Sequence, residues 1–315
     1  MPKRERAPFS SGGRLVGTSC QKGPARSMEN EMPLIGMKEM LEKAYAGGYA
    51  VGGFDGFNAE TFQAIIETGM EKKSPLLSIS APSEFAVLGS KATVAVATAL
   101  SDFYGVSLCL HLDHGRSMEE VVDVVEAGFK SVMIDGSQGP FEENIAITKQ
   151  VVDYAHARGV CVEAELGAMG KVDDTSHEGG PQFRTEYTDP GKAAEFVERT
   201  GCDFLAVSIG NAHGLYKTAP SLEFEILADI KKAVSVPLVL HGGSGTPADQ
   251  LKKAVALGIS KVNVASEIAK AYNDVYLPTM GEGKTWWAVA KRKATDNTRP
   301  VIARWMDVLG STGKA

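Results

Sequence analysis

Between Pro33 and Val275 the chain repeats one pattern about eight times: a short apolar run, then a longer segment with apolar residues at helical spacing. The runs Tyr49–Phe54, Pro75–Ser80, Val106–Leu112, Ser131–Asp135, Val160–Glu165, Phe204–Ile209, Pro237–His241 and Lys261–Val264 read as strands. Between and after them, Asn58–Glu71, Ser90–Phe103, Met118–Ala127, Phe141–Ala157, Pro190–Thr200, Leu222–Ala233, Pro247–Leu257 and Ser266–Val275 read as helices. In Asn58–Glu71, for example, Phe62, Ile65, Ile66 and Met70 form one stripe. Strict strand–helix alternation implies a parallel sheet, and eight units is the number that closes a (β/α)8 TIM barrel. A doubly wound open sheet is the competing α/β arrangement. It carries G-x-G-x-x-G at its first strand–helix turn, whereas this turn reads Gly52-Gly53-Phe54-Asp55-Gly56-Phe57. The expectation is therefore one barrel domain over residues 32–315, closed by C-terminal helices.

Composition narrows the function. A net charge of -6 provides no basic face for nucleic acid, and no apolar stretch approaches the ~18 residues of a membrane span. The four cysteines (Cys20, Cys109, Cys161, Cys202) show no C-x-x-C spacing, which fits a reduced, cytoplasmic setting. Residues 1–31 are rich in Lys, Arg, Ser and Gly and lack an apolar signal core, so they read as a disordered N-terminal extension. A transit peptide is the alternative, as is a true start at Met28 or Met32.

Three strands end in histidine. Val106–Leu110 runs into His111-Leu112-Asp113-His114-Gly115, Phe204–Ile209 into Asn211-Ala212-His213-Gly214, and Pro237–Leu240 into His241-Gly242-Gly243-Ser244-Gly245. Ligands of parallel α/β proteins bind beyond the carboxyl ends of strands. A single strand-end histidine is usually structural. Three at the same end of three strands make His114, His213 and His241 candidate ligands of one catalytic zinc ion, which takes three protein ligands and an open position. His111 alternates onto the face of Asp113 and is expected to pack or to support a ligand from behind. Asp113 ends a buried strand, so it either orients a histidine or moves a proton beside the metal. The last two strands lead into Gly242-Gly243-Ser244-Gly245 and Asn263-Val264-Ala265-Ser266, each just before a helix. Small residues and free N–H groups there suit a phosphate, although Ser244 and Ser266 also suit simple helix caps.

These pieces, with Met133-Ile134-Asp135-Gly136-Ser137, Val162-Glu163-Ala164-Glu165-Leu166-Gly167 and Ala212-His213-Gly214-Leu215-Tyr216-Lys217, resemble the class II, zinc-dependent ketose-bisphosphate aldolases from about Pro33 to Val308. The resemblance implies reversible cleavage of a phosphorylated ketose to dihydroxyacetone phosphate and an aldehyde through a zinc-stabilised enediolate. It implies Asp113 as the acid/base, Asp135 and Glu165 as ligands of a second or displaced metal ion, and a homodimer or homotetramer. Gly214, Lys217, Gly242, Gly243, Ser244, Asn263, Val264, Ala265 and Ser266 would hold the dihydroxyacetone phosphate half, aided by Na+ or K+.

Four positions depart from that pattern. Asp55 replaces an asparagine and Ala81 a serine or threonine, both on the aldehyde side. In the loop after the fifth strand the glutamate that moves the carbon-bound proton becomes Asp173, and Gln138 replaces a frequent histidine. An altered aldehyde half predicts a non-standard aldehyde partner. A zinc-dependent lyase or epimerase of an unphosphorylated sugar acid is the second reading, and a non-catalytic aldolase-like subunit the third. The tryptophans Trp286 and Trp287 are expected to pack at the barrel bottom or at a subunit contact.

Overall fold

The computed structural model describes residues 34–170, 186–281, 283 and 285–315. Eight parallel strands close into one barrel in chain order: β1 Val51–Asp55, β2 Leu77–Ser80, β3 Cys109–Gly115, β4 Ser131–Ile134, β5 Cys161–Leu166, β6 Phe204–Val207, β7 Leu238–Leu240 and β8 Ile259–Val264. The helices are α1 Lys38–Gly47, α2 Ala59–Lys72, α3 Pro82–Phe85, α4 Ser90–Tyr104, α5 Met118–Ala127, α6 Phe141–His156, α7 Pro190–Thr200, α8 Phe224–Ala233, α9 Ala248–Ala256, α10 Ser266–Gly281 and α11 Trp287–Leu309. The expected single (β/α)8 barrel is what the chain forms. The proposed 1–31 extension lies outside the described residues.

Local chemistry explains the helix starts. Asn58 caps α2 by accepting from Thr61 N at 2.8 Å, while Thr61 Oγ1 accepts from Asn58 N at 3.1 Å. Every strand is buried along its whole length, as a parallel sheet covered by helices requires. One face of each strand joins the shell packed under the helices, for example Leu110, Leu112, Val162, Ala164, Val262 and Val264.

The opposite faces fill the barrel in layers. At the floor sit Val51, Leu77, Cys109, Cys161, Phe204 and Val239, packed against Met37, Met40, Leu41 and Ala44 of the α1 region. Two residues further along their strands lie His111, Ser131, Glu163 and Lys261, and above these Asp55, Asp113, Glu165, His241 and Asn263. The period of two that makes a strand thus stacks apolar, charged and mouth layers in order.

The structure departs from the sequence reading at three places. Helix α1, not expected from the sequence, plugs the floor. The expected strand Val106–Leu112 instead starts at Cys109 and runs through Gly115. The C-terminal stretch forms the 23-residue helix α11, which packs along α10 and α2 on the barrel's flank rather than beneath it. Trp305 of α11 is buried, while Trp286 and Trp287 stand exposed at its start. Among the described residues, no helix is long and apolar enough to cross a membrane.

Candidate active site

The mouth layer is where the strand-end histidines meet. On β3, simple alternation would turn His114 away from the side that Asp113 faces. Pairing between β3 and β4 instead slips between Leu112 and Gly115, and His114 adopts φ 46°. This left-handed backbone is unusual for a non-glycine residue, and it re-aims the ring toward the barrel axis. His213 comes from the loop after β6, anchored by its N–H to Gly170 O at 2.9 Å. His241 follows β7 directly.

The ring centroids of His114 lie 5.0 Å from those of His213 and 4.6 Å from those of His241, with 6.0 Å between the latter two. One ligand nitrogen from each of the three falls within 4.8 Å of the others. The carboxylates Asp135 and Glu165 join His114 in a second such group. The sequence-expected metal residues are therefore brought together.

Their supports are built in. Asp135 Oδ2 lies 2.9 Å from His114 Nδ1 and fixes that ring. Burial alone would raise the Asp135 carboxyl, but the His114 contact outweighs it and holds Asp135 down at about 2. Glu163 Oε1 sits 2.8 Å from His241 Nε2, and Lys261 Nζ donates to Glu163 Oε2 at 2.7 Å. All three groups are fully buried. Burial would push Glu163 up, yet Lys261 and His241 hold it well below the ordinary carboxylate value.

Glu165 is raised by burial and by the neighbouring charge of Asp135. Its Oε1 accepts from Ser137 Oγ at 3.0 Å. Its Oε2 and His241 Nδ1 are buried 3.2 Å apart as an ion pair. A divalent cation is the kind of partner that such a pair of buried donor atoms fits. His111 lies deeper in the barrel: its Nδ1 meets Ser131 Oγ at 2.7 Å, its ligand atoms group with Asp113 and Glu163, and burial, with Lys261 nearby, lowers it to about 3.

Asp113 lies 3% exposed beside the histidines, and its Oδ1 accepts from Asn263 Nδ2 at 2.8 Å. Asn263, expected in the phosphate loop, therefore also links β8 to β3. The loops after β7 and β8 are joined, with Gly243 N donating to Asn263 O at 3.0 Å and Ser244 Oγ accepting from Glu267 N at 3.2 Å. Ser244 thus caps α10 as well as lining the loop. At Gly242 (φ +62°) a Cβ would stand 2.1 Å from Ala212 O, so only glycine lets the loop after β7 lie against the loop after β6. Gly214, Val264, Ala265 and Ser266 surround the same end, whereas Lys217 is exposed.

On the far side, Asp55 ends β1 and is 3% exposed, next to Ala81 at the end of β2. Glu84 of α3 was not foreseen. Its Oε2 accepts from Ala81 N at 2.7 Å and its carboxyl hydrogen-bonds Asp55. Glu163 and Lys261 were also missed as a unit, although the alternation Glu163–Glu165 and Lys261–Asn263 points both into the barrel. Asp173 lies outside the described residues.

The sequence and the fold match known proteins. Residues 35–314 fit the model of the family "Fructose-bisphosphate aldolase class-II", and the chain belongs to that family. It is similar to the YdjI aldolase of Escherichia coli K12, with 34% identity, a TM-score of 0.77, and coverage of 90% of this chain and 99% of that one. A fructose-1,6-bisphosphate aldolase candidate from Coccidioides immitis matches with 30% identity and TM-score 0.79, over 88% and 96% of the two chains. The fructose-bisphosphate aldolase of Campylobacter jejuni shares the fold, with 23% identity and TM-score 0.73 over 89% and 95%. The chain is therefore an aldolase, a carbon–carbon lyase.

Proposed function

We propose that this enzyme cleaves a phosphorylated ketose reversibly to dihydroxyacetone phosphate and an aldehyde, with zinc held by His114, His213 and His241. The observation that carries this reading is the convergence of the three imidazoles, within 4.8 Å at their ligand atoms, beside buried Asp113. A zinc ion there supplies Lewis-acid stabilisation of the negative charge that develops on a three-carbon enediolate. Asp135 and Glu165, whose ligand atoms group with one of His114, are assigned to a second or displaced ion.

The chain's own groups do the rest. Asp113 takes the proton of the hydroxyl on the carbon that becomes the aldehyde; the carbon–carbon bond breaks, and its electron pair passes to the enediolate. In the reverse direction Asp113 returns the proton. Asn263 orients Asp113 by its 2.8 Å hydrogen bond. Asp173 is assigned the proton transfer at carbon that turns the enediolate into the ketone. Gly214, Lys217, Gly242, Gly243, Ser244 and Asn263 to Ser266 are assigned to the phosphate half, with Na+ or K+ alongside. A cytoplasmic homodimer or homotetramer completes the proposal.

The test is to supply purified protein with dihydroxyacetone phosphate and a panel of aldehydes, measuring ketose phosphate formed and bound metal. Product formation dependent on zinc is expected. Efficient turnover of substrates without any phosphate, and none with dihydroxyacetone phosphate, would replace the reading with the sugar-acid lyase.

A further inference from the structure

We propose that the wall formed by Asp55, Ala81 and Glu84 selects an unphosphorylated, polyhydroxylated aldehyde as the partner of dihydroxyacetone phosphate. The inference rests on the function proposed above and concerns the half of the site left unassigned there. A phosphate group presents acceptors and negative charge, so its site needs donors or cations. A hydroxylated chain presents donors, which a carboxyl-lined wall accepts.

The ends of β1 and β2 have spent their donors. Ser78 Oγ and Ser80 Oγ donate to Phe54 O and Gly56 O. The Ala81 N–H is taken by Glu84 Oε2, and the Ala81 side chain offers nothing polar. Ser83 is solvent-exposed on α3. What remains on the wall is the Asp55–Glu84 carboxyl pair. Burial and the Asp55 charge raise the Glu84 carboxyl, and the two carboxyls are hydrogen-bonded to each other.

The cations flanking the barrel are occupied elsewhere. Arg116 pairs with Glu120, Lys291 with Glu60, Arg299 with Glu67 and Glu71, and Arg304 with Glu267.

The experiment compares aldol addition of dihydroxyacetone phosphate to glyceraldehyde and erythrose with addition to glyceraldehyde 3-phosphate and erythrose 4-phosphate. In the wild type, kcat/KM should favour the unphosphorylated member of each pair by at least about tenfold. In Asp55→Asn and Glu84→Gln the ratio within each pair should move toward the phosphorylated aldehyde by a similar factor, through KM for the aldehyde. Solvent-hydrogen exchange into dihydroxyacetone phosphate, run without aldehyde, separates the two levels of the argument. Exchange together with preference for phosphorylated aldehydes, or with no addition to unphosphorylated ones, overturns this inference alone. An unmoved ratio in an active variant does the same. Absence of exchange removes the underlying function and this inference with it.

Discussion

The floor and the mouth of this barrel are built from the same eight strands, yet they are opposites. The floor is apolar and thiol-lined, closed by α1, with its polar contacts at the rim. There Asp203 accepts from Lys38 at 2.9 Å and from Val162 N at 2.8 Å, and meets His156 Nε2 at 2.7 Å. The mouth, at the carboxyl ends of the strands, concentrates three histidines and at least four carboxylates in a largely buried space. Such desolvated charge opposes stability unless paired, so its presence marks function rather than architecture. The Glu163–Lys261 pair lies between them and belongs to both regions.

Substitutions should separate the regions by what they damage. The largest effect is expected at His241→Ala, which should lower cleavage by about 10³-fold or more and reduce zinc retained on gel filtration. Wild-type turnover in that variant would break the contrast. In the middle layer, Lys261→Met strands the buried Glu163 charge beside His241. It should lower unfolding free energy by about 3–5 kcal/mol in denaturant titration, and weaken zinc binding as well. At the mouth again, Asp113→Asn should fold and hold zinc normally while losing about 10²-fold in kcat.

The smallest effect belongs to the floor. Asp203→Asn should cost about 1 kcal/mol of stability with kcat unchanged. Burial raises the Asp203 carboxyl, but Lys38, Val162 N and His156 together lower it below its ordinary value. A depressed carboxyl contributes its full stability above the unfolded value of about 3.9 and loses it as pH falls through the folded value. The stability gap between wild type and Asp203→Asn should therefore be complete at neutral pH and close in acid. A gap that widens in acid would contradict the assignment.

Much of this contrast can be read from the chain before folding. The eight units, the three histidines and Asp113 follow from strand periodicity and strand ends, whereas Asp135 and Glu165 come only from the family resemblance. The features that were not legible depend on contacts between distant strands. Alternation alone sends His114 the wrong way, because the β3 slip that turns it inward arises from pairing with β4. Glu84 stands on a four-residue helix too short for periodicity to reveal, and its role comes from Asp55, a neighbour only through β1–β2 pairing. Lys261 resembles an ordinary solvent-facing strand residue until closure of β8 on β1 and β7 sets it against Glu163. Helix α1 has the buried stripe Met40, Leu41 and Ala44, but it lies ahead of the first strand, where the repeating unit supplies no expectation.

The most direct test of the central claim is exchange of solvent hydrogen into dihydroxyacetone phosphate by protein stripped of metal with a chelator and then resupplied with zinc. The account predicts about one zinc per chain, exchange lost on stripping and restored with zinc in proportion to occupancy. Exchange that persists at full rate in metal-free protein would contradict it.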